Sequence, residues 1–298
     1  MFWGEIAAIS AAFVWAVSTW LYSQTSHHFS ALQMNVIKGV VASSMMLIVM
    51  PFLPMPELHI SSQYVGVLAI SGVIGIAIGD SAYFAALKRI GPNKTLLLES
   101  LAPPLSGILA LIMLGSVIGL RSWLGIIITT LAVTFTLFQA KGSAETQAQT
   151  VSKSGIGFGL LASFCQAFGV VISHYALVAG DLPPLLGALI RLSIGVISLM
   201  LVIGFIEKKP FSAIIQGAKG LASKHVKILL GAIFFGTFIA LWLQQIALKL
   251  ANPAIAQTLM SISPLFILLI SVLKGESISL KTFIGTGFAL VGIGLFFW

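Results

Sequence analysis

Three ionisable side chains lie inside stretches of sequence that are otherwise apolar. Lys38, Asp80 and Glu99 each occur within a mostly apolar run, and at helical rise each lies roughly 10–12 Å from one end of its run. We expect them at one depth, where an ammonium and one carboxylate pair while the other carboxylate exchanges a proton, since burial beside a like charge favours the neutral form. The alternative is a structural ion pair plus an acid that faces water in a cavity.

A second buried cation, Arg191, has the position in the second half of the chain that Lys38 has in the first. A shift of 153 positions aligns Gly4, Ser10 and Lys38 with Gly157, Ser163 and Arg191. A shift of 161 positions aligns Gly75, Pro92 and Pro103 with Gly236, Pro253 and Pro264. The sequence therefore predicts a tandem duplication. Leu241 and Met260 replace the two acids in the second copy, so the acids belong to the first half only.

The composition predicts an integral membrane protein. Apolar residues make up 58% of the chain and charged residues 8%, against about 25% charged in soluble domains. The net charge of +8 comes mostly from basic residues in short connections, where they set orientation or contact anionic lipid rather than nucleic acid. Cys165 is the one cysteine, which excludes an intrachain disulfide and a thiolate cluster. We predict no metal and no cofactor.

The apolar stretches predict an all-α polytopic fold, because only helices satisfy their backbone groups within lipid when the sequence lacks barrel alternation. Ten blocks are long enough to cross a hydrocarbon core of about 30 Å. They are residues 3–22, 31–50, 64–87, 93–114, 121–140, 155–178, 184–206, 226–248, 254–273 and 281–298. A polar linker at 141–154 separates a first five-helix repeat, 1–140, from a second, 155–298. Gly91-Pro92-Asn93 is predicted to connect the third and fourth helices.

An odd number of helices in each half gives the halves opposite orientations, as in alternating-access transporters. The order of a set of residues along the chain then becomes informative about the family. The set consists of Trp15, Lys38, Gly79-Asp80, Leu101-Ala102-Pro103, Arg191, Ile262-Ser263-Pro264 and Gly275-Glu276. In this order the whole chain resembles an EamA-type ten-helix member of the drug/metabolite transporter (DMT) superfamily. It departs from the family where Gly115-Ser116 replaces the usual Gly-Glu before the fifth helix.

The resemblance implies a central cavity lined by helices one, three, four, six, eight and nine. Polar and aromatic side chains on these helices should face partners or water. The cavity candidates are Trp15, Lys38, Tyr83, Glu99, Gln166, His174, Arg191, Gln244, Gln245 and Gln257. Arg191 is either a counter-charge for an anionic substrate or a helix organiser that binds carbonyl groups. His174 is either hydrogen-bonded packing or a proton relay.

Asp80 and Glu99 are the candidates for proton coupling, and three prolines are candidates for hinges. Pro103, Pro104 and Pro264 lie within the fourth and ninth apolar blocks, where a missing N–H frees carbonyl groups and permits a kink. We expect these prolines to interrupt their helices in mid-span.

The function that we predict is secondary transport, in the export direction, of small organic metabolites such as amino acids or related amphiphilic solutes. No Gly-x-x-x-x-Gly-Lys-Ser/Thr loop is present, so ATP is not the expected energy source. The alternative is a lipid-translocating protein. An intramembrane enzyme is disfavoured, because Asp80 has no second membrane aspartate and no zinc-protease or serine-protease motif occurs. Partners are therefore a small-molecule substrate, membrane lipids and a proton, with a monomer as the simplest assembly.

The expected location is a bacterial cytoplasmic (inner) membrane, but two arguments disagree on orientation. Twelve basic residues fall in the connections on one side of the predicted topology, and only Arg121 and Lys249 fall on the other. The positive-inside rule then places both termini outside the cytoplasm. The family resemblance implies termini inside.

Overall fold

A computed structural model of the chain describes residues 2–23, 29–53, 61–139, 152–273 and 280–297. Within these ranges the chain is helical and contains no strand. Most of the predicted linker 141–154 lies outside the described residues, as do Gly275 and Glu276.

Fourteen α-helices, two π-helices and one short 3-10 helix (Met50–Phe52) follow one another along these ranges. The first half contains α1 (Trp3–Ser23), α2 (Ala31–Val49), α3 (Ser62–Gly72), the first π-helix (Val73–Asp80), α4 (Ser81–Glu99), α5 (Ala102–Leu114) and α6 (Leu120–Gln139). The second half contains α7 (Lys153–Ala179), α8 (Pro184–Ile206), α9 (Pro210–Gly220), α10 (Ser223–Ile233), the second π-helix (Phe234–Ile239), α11 (Ala240–Leu250), α12 (Pro253–Met260), α13 (Ser263–Leu273) and α14 (Leu280–Gly294).

Eight helical stretches of the described residues are long and apolar enough to cross a membrane. They fall on eight of the ten predicted blocks. The other two blocks, 93–114 and 281–298, contain the shorter apolar helices Ala102–Leu114 and Leu280–Gly294. The prediction of an all-α membrane protein is therefore confirmed, whereas the count of ten spans stays a prediction.

The predicted non-helical connection at Gly91-Pro92-Asn93 is wrong, because α4 includes these residues. The contacts of α4 with α7 nevertheless show that the chain changes direction. Gly79, before α4, lies against Cys165 of α7, and Ile90 packs on Gly155, near the start of α7. Leu98 packs farther along, on Gly159. The chain therefore turns back between Ile90 and Leu98, around a proline that cannot donate the hydrogen bond of a straight helix.

The fourth and ninth apolar blocks are both interrupted in mid-span, as expected, but the breaks lie just before the prolines. The breaks are at residues 100–101 and 261–262. Pro103 and Pro104 follow the first break in the first turn of α5, and Pro264 follows the second in the first turn of α13. A proline is tolerated in a first turn because its missing N–H would have no intrahelical partner there. The role of Pro103, Pro104 and Pro264 as hinges stays a prediction.

The two π-helices occupy equivalent positions in the two halves. The first begins at Val73 and the second at Phe234, which are related by the 161-residue shift of the sequence repeat (234 − 73 = 161). A π-helix has a wider turn than an α-helix and is often found at functional sites. The first π-helix ends at Asp80.

One end of the bundle, here called the terminal end, brings together both ends of the described chain. The rings of Phe2 and Phe297 lie 5.0 Å apart. Asn252, between α11 and α12, donates from Nδ2 to Ser116 Oγ, at 2.8 Å. The connection between α7 and α8 belongs to the same end, because Lys249 Nζ lies 2.7 Å from Asp181 Oδ1.

The opposite end, here called the linker end, joins the start of α2 to the end of α8. The Glu207 carboxylate accepts a hydrogen bond from Ser30 Oγ at 2.6 Å and another from Gln33 Nε2 at 2.7 Å. Ser30 is also the N-cap of α2, in a capping box with Gln33. A neutral cap and a carboxylate both stabilise the N-terminus of a helix, so Glu207 fixes the end of the helix that carries Lys38.

The ion pair at the terminal end gives stability that depends on pH. A hydrogen bond from Lys249 and the charge of that residue lower the pKa of Asp181. A depressed folded-state pKa contributes stability above the unfolded value, near 3.9, that is lost as pH falls through the folded value. We expect Asp181→Asn to lower the thermal unfolding temperature slightly at neutral pH and not at all in strong acid. Asparagine also tolerates the left-handed backbone at this position (φ 43°).

The control for this prediction is the same substitution in a Lys249→Met background, where we expect no difference at any pH. An effect of Asp181→Asn that is undiminished in acid, or that survives without Lys249, would show that the ion pair is not its cause.

Candidate functional site

The two central acids and the two buried cations come from four elements that meet inside the bundle. Lys38 lies on α2, Asp80 closes the first π-helix, Glu99 ends α4 and Arg191 lies on α8. Gln244, on α11, completes the group as the partner of Arg191.

Lys38 and Asp80 form the ion pair that their depths predict. Lys38 Nζ lies 3.4 Å from Asp80 Oδ2. The side chain of Lys38 is 13% exposed, whereas that of Asp80 is 34% exposed. Asp80 is therefore only partly removed from solvent, although it lies in the middle of an apolar stretch. A charge with this exposure inside a helical bundle faces a polar space rather than lipid.

Arg191 is buried and enclosed by glycines. Its Nη1 donates to Gln244 Oε1 at 3.2 Å, and its Nε has no hydrogen-bond partner among the described residues. A Cβ added to Gly75 would lie 2.9 Å from Nη2, and one added to Gly169 would lie 3.3 Å from it. These positions lack side chains because the guanidinium occupies the space that a side chain would need.

Asp80 links the repeat-related cations of the two halves. Besides its contact with Lys38, its carboxylate lies within electrostatic range of Arg191. It also lies within electrostatic range of Glu99 and of Tyr83, one turn later in the chain. The cluster therefore consists of two cations and two acids, with the acid pair on the first half and one cation on each half. Among the described residues of the second half, Arg191 is the one that contributes a charge to the cluster.

Trp15 is an exposed aromatic residue on a face of α1 that is otherwise buried. Ala8, Ala11 and Ala12 lie on the same helical face as Trp15, seven, four and three residues earlier, and all three are buried. Trp15 itself is 45% exposed. Its ring is therefore the accessible part of that face.

The glutamines predicted to line the cavity differ in whether their amide atoms have hydrogen-bond partners. Gln244 binds Arg191, and Gln245 Oε1 accepts a hydrogen bond from Ser173 Oγ at 2.8 Å. Gln245 Nε2 and Gln257 Oε1 are buried without a hydrogen-bond partner among the described residues. Gln166 is half-buried on α7, three residues after Ser163. Buried amides normally have partners, so the unpaired atoms are candidate ligand contacts.

His174 is held by a hydrogen bond to the backbone and is separate from the charged cluster. Its Nδ1 donates to the backbone carbonyl of Leu248, across the contact of α7 with α11. This bond fixes the tautomer with the proton on Nδ1. The geometry agrees with the packing alternative for this residue.

Asn35 is a buried polar residue of α2 that the sequence pattern did not single out. It lies on α2, three residues before Lys38, with a fully buried side chain. Neither its amide nitrogen nor its oxygen has a hydrogen-bond partner among the described residues. An amide within an apolar block was the available signal, and it is the same signal that identified the glutamines. Within the described ranges, no group of three or more His, Cys, Asp or Glu residues could hold a metal ion.

Comparisons with known proteins identify the family. Residues 2–138 and residues 153–298 each match the EamA-like transporter family. This chain belongs to that family. The prediction from the residue order, that the chain is an EamA-type member of the DMT superfamily, is therefore confirmed.

Two relatives illustrate how far the similarity of this EamA-like chain extends. A protein of Archaeoglobus fulgidus, described as an uncharacterized transporter, is 27% identical over 192 residues, which is 63% of this chain and 63% of that protein. A solved crystal structure covers 98% of this chain and 95% of its own, with a TM-score of 0.76 and 16% identity. At that identity the likeness shows a shared fold.

Proposed function

We propose that this EamA-like protein is a secondary transporter that exports small organic metabolites by alternating access. Its working parts are two five-helix repeats of opposite orientation, residues 1–140 and 155–298, with ten spans in total. Three observations support the repeats: the family matches each half separately, the π-helices begin at equivalent positions, and the connections meet at two opposite ends of the bundle.

The observation that carries the proposal is the charged cluster between the halves. Lys38, Asp80 and Glu99 belong to the first half and Arg191 to the second. Charged groups in a bundle interior are costly and are typical of substrate or proton pathways. A movement of one half against the other changes the separation of Asp80 and Arg191. The cluster is thus placed where alternating access would alter its electrostatics.

The substrates that fit this cluster carry both charge and apolar surface. Arg191 has an unpaired donor, and Trp15 offers an exposed aromatic face. A carboxylate on Arg191 and an apolar portion on Trp15 would suit an amino acid or a related amphiphile. Glu99 is the proposed proton-exchanging acid, since it lies near the charge of Asp80.

Location and orientation follow from the distribution of basic residues. We propose a cytoplasmic membrane, with a monomer as the working unit. Twelve of the sixteen basic residues lie in connections on the side that contains the linker. The positive-inside rule then places the linker end in the cytoplasm and the terminal end outside.

The test is transport by purified protein in proteoliposomes without ATP. We expect an imposed proton gradient to drive concentrative uptake of members of a radiolabelled amino-acid mixture. Glu99→Gln should lose the response to the gradient but keep exchange of labelled for unlabelled solute. Asp181→Asn, which removes an exposed acid outside the cluster, is the matched control and should retain both activities.

Three outcomes would contradict this function. Transport that requires ATP at a maintained gradient would exclude secondary transport. A gradient response unchanged in Glu99→Gln would exclude that residue as the coupling site. Redistribution of fluorescent lipid with no amino-acid uptake would favour the lipid-translocating alternative.

A further inference from the structure

A short amphipathic helix, α9, lies across the linker end of the bundle and has no counterpart in the predicted spans. One side of it is anchored. Ile214 packs with Val36, Leu199 and Ile203, and Gly217 lies against the ring of Phe29. The helix is thus fixed to the start of α2 and the end of α8.

The outer side of α9 presents two apolar side chains that are about half exposed. Phe211 and Ile215, one turn apart, are 44% and 54% exposed. Lys219 lies one turn after Ile215 on the same side, and Ser212 and Gln216 lie beside this stripe. A helix that is anchored at the end of a transmembrane bundle, with an apolar stripe facing outward, lies at the boundary of headgroups and acyl chains.

Basic residues surround this helix without acidic partners. Lys208, Lys209, Lys219, Lys224 and Lys227, here called the lysine patch, are all exposed. None of them forms an ion pair with a described residue. The single acid between residues 207 and 227 is Glu207, and its two oxygens are bound by Ser30 and Gln33. Among the described residues, no acid pairs with any of the five positive charges of the patch.

The backbone turn into α9 sets the position of two lysines of the patch. Lys209 has a left-handed backbone, with φ of 52°, which is uncommon for a residue other than glycine. This turn bends the chain sharply from α8 into α9, so that Pro210 is buried while the two lysines before it are exposed. The outward position of the lysines is thus set by the fold.

We propose that the lysine patch and the outer face of α9 form a docking site for anionic phospholipid. The lysines bind the headgroup phosphates, and Phe211 and Ile215 insert beside the acyl chains. Opposite charge and apolar area act together in such sites, and neither suffices alone. Because Glu207 caps α2, a bound lipid also holds the first turn of the helix that carries Lys38.

The experiment compares the binding of phosphatidylglycerol and phosphatidylcholine to purified protein by native mass spectrometry. The patch variant replaces Lys208, Lys219 and Lys224 with glutamine. Its matched control replaces three exposed basic residues outside the patch, Arg121, Lys153 and Lys281, with glutamine, which removes the same charge. In the patch variant, we expect each replaced lysine to lower the preference for phosphatidylglycerol over phosphatidylcholine roughly fivefold. The control should keep the wild-type preference.

Two further measurements separate a lipid site from a simple charge effect. Ile215→Ser should weaken phosphatidylglycerol binding without changing the lysines. Amide exchange in residues 31–37 should slow when phosphatidylglycerol is added to the wild type, but not when it is added to the patch variant. Circular dichroism checks that each variant is folded.

An unchanged lipid preference in a folded patch variant would overturn the proposal, as would an equal loss in the control. Glycerol phosphate that displaces the lipid at equal concentration would show a site for free phosphate, and this result would also overturn it.

Discussion

Gly72→Ala is expected to abolish most of the folded protein. A Cβ at this position would collide with the carbonyl oxygen of Arg191 and would lie 2.9 Å from its carbonyl carbon. These are backbone atoms of α8, so no change of rotamer can relieve the contact. Overpacking costs about 1–3 kcal/mol even where side chains can move, and we expect a cost at or above the top of that range. The fraction of monodisperse protein after extraction and the thermal unfolding temperature measure it.

The matched control is Gly66→Ala on the same helix. No atom lies within 4 Å of a Cβ added there, and alanine is favoured over glycine within a helix by roughly 0.5–1 kcal/mol. We expect wild-type yield and an unchanged or slightly higher unfolding temperature. Equal losses from both substitutions would show that the close approach of α3 and α8 is not the reason that glycine is needed.

Lys38→Met is expected to lose both stability and transport. Much of what is lost should be recovered when Asp80 is neutralised as well. Removal of one partner from a buried pair costs about 3–5 kcal/mol. The 34% exposure of the Asp80 side chain admits solvent, which lowers the expected cost to about 2 kcal/mol. The single variant leaves Asp80 and Glu99 near each other without the ammonium.

The double variant Lys38→Met with Asp80→Asn replaces the pair with neutral groups, which costs less than half-removal of the pair. We expect its unfolding temperature to lie above that of Lys38→Met alone. The non-additivity measures the coupling. Losses that add across Lys38→Met, Asp80→Asn and Glu99→Gln would show that the three residues do not interact.

The depth of charged residues proved the most informative part of the sequence. Lys38 and Asp80 are 42 residues apart, and the rise of a helix alone placed them at one level. That arithmetic works because the hydrocarbon thickness fixes the length of each span, so sequence distance from a connection becomes depth. Rotation about each helix axis is not fixed in this way. The position of Asp80 between Lys38 and Arg191 therefore required the structure.

Other features depend on contacts that sequence patterns do not encode. Helix α9 has 11 residues, which is too short for a search for membrane-spanning blocks, and its apolar stripe is evident only once the helix is known. Pro92 suggested a connection, but its missing N–H is compatible with a helical turn at a reversal of direction. The enclosure of Arg191 by Gly75 and Gly169 joins residues of three separate spans, and nothing local to any of them predicts it.

The equivalent π-helices have a consequence for the history of the protein. A π turn commonly corresponds to one residue added to an α-helix, and it rotates everything beyond it by roughly 100°. Two independent additions would rarely fall at the same place, so under the proposed duplication one ancestral addition accounts for both, at Val73 and Phe234. The wide turn would then be older than the duplication. Asp80, whose counterpart is Leu241, marks a difference between the halves that evolved on a geometry both already had.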